Sequence, residues 1–424
     1  MHIKLKKFYS DPLLDVMDFL SEVTLDFPNA ISFATGSPME TFFDVESSIV
    51  ALDRFVEHRA RITNKPRAVI FNSLGQYNRT NGIINDLVMR HLAIDEDIHV
   101  PPEAIMVTSG YQEAMAILMI GLFDPLTDVV LVSNPTYIGT TGLAKILGVP
   151  IVPIHMDEAG LNIDILLAAL EEIRLDGKRP RALYEIPDFN NPLGTSMPLS
   201  TRHELLQVAY ENDLIIIEDN PYGMFAYDGK RLPTLKSLDK DGVVIYIGTF
   251  SKTIFPGLRM GFLVADQQIE SENRLLAEEL SKVKGFTTVN TSPLLQAMVG
   301  GILLESNGSL LPIVESKLQF YRTNRDRMVA RLAEEFGGDL GGHIRWNRPS
   351  GGFFLTVTLP FTFDEQCFRI CASEYGLLCC PMSFFSLDHA RDHQIRLSFS
   401  YVTLEQIDEG IRRLAQFVRD RLFG

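Results

Sequence analysis

Between about residues 100 and 270, short apolar runs rich in β-branched residues alternate with stretches of helical periodicity. The runs are Ile105 to Val107, Val129 to Val132, Ile151 to Ile154, Ala182 to Ile186, Leu214 to Ile217, Val243 to Ile247 and Gly261 to Val264. Strands separated by helices predict a mainly parallel sheet covered on both faces, because each crossover helix must lie against it. Ala114 to Phe123 is apolar throughout and stops at Asp124-Pro125, which reads as a buried helix. Thr201 and Glu204 are spaced as a capping box ahead of a helix to about Glu211.

The texture changes after about residue 300. A long amphipathic helix is predicted from Val314 to Phe336, stopped by Gly337-Gly338, with shorter strands at Phe353 to Val357 and Ile395 to Phe399. The N-terminal part has one short helical stretch, Pro12 to Leu20, and too little core to stand alone. The expected organisation is α/β: a large domain at 44–300 built on a seven-stranded sheet and a smaller α+β domain at 301–424, with an N-terminal segment at 1–43 packed on the smaller domain.

With 424 residues and 46% apolar content, the chain can bury a deep site. Its 54 acidic and 39 basic residues give a net charge of −15, which disfavours a nucleic-acid partner. Neither a signal-peptide pattern nor an apolar run long enough to span a bilayer is present, so the reading is a cytoplasmic protein without a membrane partner. Cys367, Cys371, Cys379 and Cys380 match no common zinc spacing and read as core thiols, so no metal is assigned.

In open parallel sheets, functional loops lie at the carboxyl ends of strands. Thr108-Ser109-Gly110-Tyr111-Gln112 follows the first strand and opens a helix whose unpaired N–H groups suit a phosphate, although a simple turn explains it equally well. Asn191 follows the fourth strand and can donate its amide to a ring oxygen; an Asn-Pro turn accounts for the same residues. Asp219 ends the next strand, three residues before Tyr222, and a buried carboxylate there needs a partner such as a protonated heterocyclic nitrogen. The sharpest signal is Thr249 to Arg259, where Lys252 sits between two strands among apolar and hydroxyl side chains. Desolvation lowers a lysine's pKa and frees its amine for Schiff-base chemistry. Arg259 can neutralise a phosphate.

Five segments then occur in a fixed order: TSGYQE from Thr108, NPTY from Asn134, NNPLG through Asn191 to Gly194, EDNPYG from Glu218 and TFSKTIFPGLRMG from Thr249. On these the chain resembles the fold-type I pyridoxal-phosphate enzymes of the class I and II aminotransferases, in the aminoadipate and aromatic aminotransferase branch. The resemblance implies that Lys252 carries pyridoxal 5′-phosphate as an aldimine and moves the substrate Cα proton, with Asp219 on the pyridine nitrogen. Asn191 and Tyr222 are implied at the ring hydroxyl and Tyr137 on the ring face. Ser109, Gly110, Tyr111, Gln112, Thr249, Ser251 and Arg259 are implied around the phosphate. Arg396, in IRLSFS, matches an arginine that grips the substrate carboxylate, and Gly36, in SFATGSP, a glycine of the substrate pocket. Tyr77, in GQYNRTNG, matches a tyrosine that reaches the partner subunit's phosphate and implies a homodimer.

The sequence departs from the family pattern at Val88, Met382 and Leu355, none of them in the cofactor set. The implied activity is transfer of an amino group between an amino acid, of bulky or aromatic kind by resemblance alone, and a 2-oxo acid. Alternatives of other kinds are a non-transaminating pyridoxal-phosphate cyclase, oxidase or lyase, and the effector domain of an aminotransferase-like transcription regulator. A dinucleotide-dependent dehydrogenase lacks its glycine fingerprint.

Overall fold

A computed structural model describes residues 3 and 5–423, apart from 158, 159, 228, 270–272 and 339–342. Its main sheet contains β1 (Ile105–Thr108), β2 (Asp128–Asn134), β3 (Ile151–Asp157), β4 (Gly160–Leu161), β5 (Arg179–Glu185), β6 (Ile215–Asp219), β7 (Val244–Thr249) and β8 (Gly261–Val264). They are ordered β1-β8-β7-β6-β5-β2-β3-β4. All seven expected strands are present, and the eighth is the two-residue β4, which turns back antiparallel on the end of β3. A two-residue strand beginning at a glycine leaves no periodic trace in sequence.

The five central strands β3, β2, β5, β6 and β7 run parallel. Every residue of β2 is buried, as expected of a strand covered on both faces. The helix Tyr111–Leu122 buries Ala114, Met115, Ile117, Leu118, Met119 and Leu122 on one side of the sheet. β8 runs against both of its neighbours, and its first residue, Gly261, is opposite both Thr108 of β1 and Thr249 of β7. That reversal brings the loops after β1 and β7 together with Arg259, two residues before β8.

A second, antiparallel sheet contains β9 (Arg345–Trp346), β10 (Phe354–Thr358), β11 (Cys380–Pro381) and β12 (Gln394–Ser398), ordered β9-β10-β12-β11. Arg396 lies on β12 between Thr356 and Cys380. The helix Leu311–Phe336 runs alongside the helix Leu404–Phe423. The four cysteines are buried and unpaired.

The N-terminal segment divides its contacts. Ile31–Ser32 pairs in parallel with Leu377–Leu378, and Phe33 O accepts from Ser398 N at 2.7 Å. The helix Pro12–Asp26 instead lies against the helix Ile138–Leu147, where Lys145 and Asp11 form a 2.7 Å ion pair. The helix expected from Thr201 begins at Leu199, directly after Pro198, and no side chain caps it. Pro198 holds the extended backbone of a cap residue, so Thr201 lies in the first turn and Glu204 in the second, both inside the helix rather than at its cap.

Candidate active site

A cavity of about 490 Å³ opens where the carboxyl ends of β5, β6 and β7 face Arg396 and the chain around Gly36. At its centre is Lys252, in the turn that follows β7, with Nζ donating to Gly36 O at 3.0 Å. Burial lowers the amine to a pKa of about 8, helped by the Arg259 and Arg396 charges and opposed by Asp219. About a fifth of the amine is therefore neutral near physiological pH, far more than for an ordinary lysine.

Asp219 ends β6 and is buried, and its Oδ2 accepts from the Tyr184 hydroxyl at 2.7 Å. Burial raises its pKa to about 7, against the lowering influence of Tyr184 and then Lys252. A carboxylate so placed ionises fully only when a cation joins it.

Arg259 adopts a left-handed backbone (φ 48°) at the end of the short turn Pro256–Leu258. Its guanidinium passes close to Gly110, where an added Cβ would stand 3.0 Å from Nη2, and Gly110 itself has φ 76°. Both facts require glycine there. Gly110 precedes the first turn of the helix Tyr111–Leu122, so Arg259 and a helix N-terminus share one corner. In the same loop, Ser109 N donates to Glu113 Oε2 at 2.5 Å, and in the turn after β7 Thr249 Oγ1 accepts from Ser251 N at 3.2 Å.

On the other wall, Arg396 is fully buried and donates to Asn191 Oδ1 at 2.7 Å and to Ala34 O. Its guanidinium lies between the rings of Phe354 (4.3 Å) and Phe385 (4.5 Å). Burial suppresses ionisation of the Tyr222 phenol, with Arg396 and Asn191 acting against it. Burial also raises Tyr137 to about 12.

Twelve of the sequence-selected residues line this cavity: Gly36, Tyr111, Gln112, Tyr137, Asn191, Asp219, Tyr222, Thr249, Ser251, Lys252, Arg259 and Arg396. Ser109 and Gly110 stand just behind it. Tyr77 lies outside it and is 77% exposed. The Tyr111 hydroxyl bonds Thr140 Oγ1 at 2.5 Å, so its phenol is already engaged. Sequence reasoning missed Thr35, Met17, Phe354 and Tyr184; Thr35 stands beside Gly36 in SFATGSP, a motif that could have found it, Met17 and Phe354 have no local motif, and Tyr184 follows Ala182 and Leu183 in the buried part of its strand.

The family model "Aminotransferase class I and II" matches residues 59–414. The chain belongs to this family. It is 42% identical over 413 residues to (S)-3,5-dihydroxyphenylglycine transaminase of Amycolatopsis orientalis, covering 97% of this chain and 93% of that one. Aromatic-amino-acid aminotransferase 1 of Thermococcus litoralis is 30% identical over 440 residues, covering 99% and 98%. Among solved structures, a kynurenine aminotransferase of Pyrococcus horikoshii superposes with a TM-score of 0.82 at 28% identity, covering 100% of this chain and 96% of the other. The α-aminoadipate aminotransferase of Thermus thermophilus, complexed with N-(5′-phosphopyridoxyl)-L-leucine, gives 0.78 at 29% identity, with 95% of each chain covered.

This aminotransferase uses pyridoxal 5′-phosphate, and its donor set fits that group. A buried amine of depressed basicity suits the aldehyde, a buried carboxylate the pyridine nitrogen, and an arginine at a helix N-terminus the phosphate. Among the described residues, Arg396 Nε is a buried donor without a partner, as expected of a group that receives an anionic ligand. Its substrates are an amino acid and a 2-oxo acid. Among the described residues, no cluster of side chains is arranged to hold a metal ion, and no helix is long and apolar enough to cross a membrane.

Proposed function

We propose that this aminotransferase takes an aromatic or similarly bulky α-amino acid as its amino donor. The observation that carries this reading is the charge inventory of the cavity. Its described lining contains three cationic side chains, Lys252, Arg259 and Arg396. With Lys252 on the cofactor, Arg259 on the phosphate and Arg396 on the α-carboxylate, no described lining cation is left for a second carboxylate. The remaining wall includes Phe354, Phe385, Ile138, Ile186 and Met17, a surface suited to an aromatic ring. The names of the Amycolatopsis and Thermococcus relatives agree with it.

Within that reading each residue has a task. When bound, the cofactor supplies the electron sink for the pair left at Cα. Lys252 Nζ would hold the cofactor and, once freed by the substrate's amine, would take the Cα proton and later return one. Asp219 would keep the pyridine nitrogen protonated. The Asn191 amide and the Tyr222 phenol would hold the ring hydroxyl, with Tyr137 beside the ring. The phosphate is held by Arg259, Thr249, Ser251, Gln112 and the backbone of Ser109, Gly110 and Tyr111. Arg396 grips the substrate carboxylate, with Asn191 orienting it and Gly36 leaving room for the substrate.

The same reading makes the enzyme a cytoplasmic homodimer divided at 1–43, 44–300 and 301–424, in which Tyr77 reaches the phosphate of the partner subunit. Exposed Tyr77 and Phe286, the latter 97% accessible, support a covering second copy. Conversion of the bound cofactor to its amine form by single amino acids tests the donor assignment. Phenylglycine- and phenylalanine-type donors should convert it, with aspartate and 2-aminoadipate at least about tenfold slower at equal concentration. Preference for a dicarboxylic donor would overturn the assignment.

A further inference from the structure

Tyr184 belongs to none of the motifs on which the chain resembles its family. It lies on β5, paired with Val132 of β2 and Ile217 of β6, wholly buried beneath the helix Tyr111–Leu122. Its hydroxyl gives Asp219 the only side-chain hydrogen bond that carboxylate receives among the described residues, at 2.7 Å. Behind it stand Tyr111, whose ring centre is 6.1 Å away, and Thr140, bonded to the Tyr111 hydroxyl at 2.5 Å. The charged and titratable groups that act on Asp219 or feel its charge are Lys252, Tyr184, Tyr111, Tyr137 and Tyr222. Among the described residues, Lys252 is the cation whose charge favours ionised Asp219.

We propose that Tyr184 is a positioning residue that keeps Asp219 ionised and aimed, and so sets the protonation of the cofactor's pyridine nitrogen. This rests on the reading that Asp219 faces that nitrogen. The chemistry is directional. A buried carboxylate without a donor holds its proton and is a poor partner for a cation, whereas a phenolic hydrogen bond favours the ionised form, so that a cation joining it meets a carboxylate that gives up its proton more readily. The phenol can serve because it never competes as an acid: burial and the Asp219 charge hold its own ionisation far above the usual range. The bond also occupies Oδ2, leaving Oδ1 as the oxygen free to face the pyridine nitrogen. Thr140 and Tyr111 buttress the phenol from behind, through hydroxyl groups buried in the same layer.

The experiment uses the holoenzyme reconstituted with cofactor labelled with ¹⁵N in the ring, in wild type, Tyr184→Phe and Asp219→Asn, read by ¹⁵N chemical shift against pH, with cofactor dissociation from each protein measured in parallel. Tyr184→Phe removes only a hydroxyl. In that variant the nitrogen should lose its proton at lower pH than in wild type, and cofactor should bind on the order of tenfold more weakly, the scale for losing a hydrogen bond to a charged group. Asp219→Asn should deprotonate the nitrogen across the range. If Asp219→Asn acts and Tyr184→Phe titrates as wild type, the role assigned to Tyr184 is overturned while that of Asp219 stands. If Asp219→Asn leaves the nitrogen protonated, the reading beneath it fails as well.

Discussion

Arg396 Nη1 donates to Asn191 Oδ1 at 2.7 Å, joining a strand of the smaller sheet to the loop after β5 across 205 positions of sequence. The bond ties the proposed carboxylate grip to the proposed cofactor ring site, because Asn191 and Tyr222 line the same cavity. On those proposed roles, Asn191 belongs to both sites rather than to one of two independent pockets.

Arg396→Lys should therefore be far from conservative. Lysine cannot make the forked contact or lie flat between Phe354 and Phe385. Steady-state kinetics should show kcat/KM reduced roughly a hundredfold for every amino donor, mainly through KM. Cofactor content should stay near wild type, because the proposed anchors Lys252 and Arg259 do not depend on Arg396, and the loss should fall on substrate binding.

Gly36 is close-fitting in a way that a single methyl group tests. An added Cβ would stand 2.4 Å from the Phe354 ring, which would have to swing away from Arg396. Gly36→Ala is expected to raise the KM for the amino donor about tenfold, within the range for an overpacked contact. Measuring KM for a small and a bulky donor checks it, the bulky one suffering more.

Reconstitution of apoenzyme should report the acidity of Lys252. Its pKa is lowered to about 8, so the neutral amine accumulates as pH rises through 8 rather than through the ordinary lysine value of 10.5. The rate at which added pyridoxal 5′-phosphate develops its enzyme-bound band should climb from about pH 7 and level off above about pH 8.5. A rate still rising about tenfold per pH unit near pH 9 would contradict the burial argument.

The loop that carries Asn191 depends on Arg202, which is fully buried and pairs with Asp188 at 2.5 Å. It also donates to Met197 O at 3.1 Å and Pro233 O at 2.7 Å. Arg202→Met strands the Asp188 charge and should cost about 3–5 kcal/mol of stability. Denaturant unfolding of the apoenzyme checks the value, and Asp188→Asn added to it should recover part of the loss.

The parts of this architecture that were legible in sequence have local causes. Parallel strands buried on both faces leave unbroken apolar runs, and the loops at their ends carry polar residues with no packing reason to be there, which exposed Asp219 and Lys252 together. Where a contact is made across the fold, the sequence is silent. Tyr184 sits in the buried part of its strand and looks like core until its hydroxyl is seen against Asp219. The helix Pro12–Asp26 has a pattern that foretells its existence but not its neighbour, the helix Ile138–Leu147. The closeness of Gly110 to Arg259 follows from the reversed direction of β8, which no local pattern encodes.

The central claim is that Lys252 holds the cofactor, and the visible absorption spectrum of the purified enzyme tests it most directly. Wild type with pyridoxal 5′-phosphate should show a visible band that an aromatic amino acid bleaches and a 2-oxo acid restores. In Lys252→Ala, the cofactor should bind without that band and without turnover. A Lys252→Ala enzyme that keeps both the band and the activity would contradict the account.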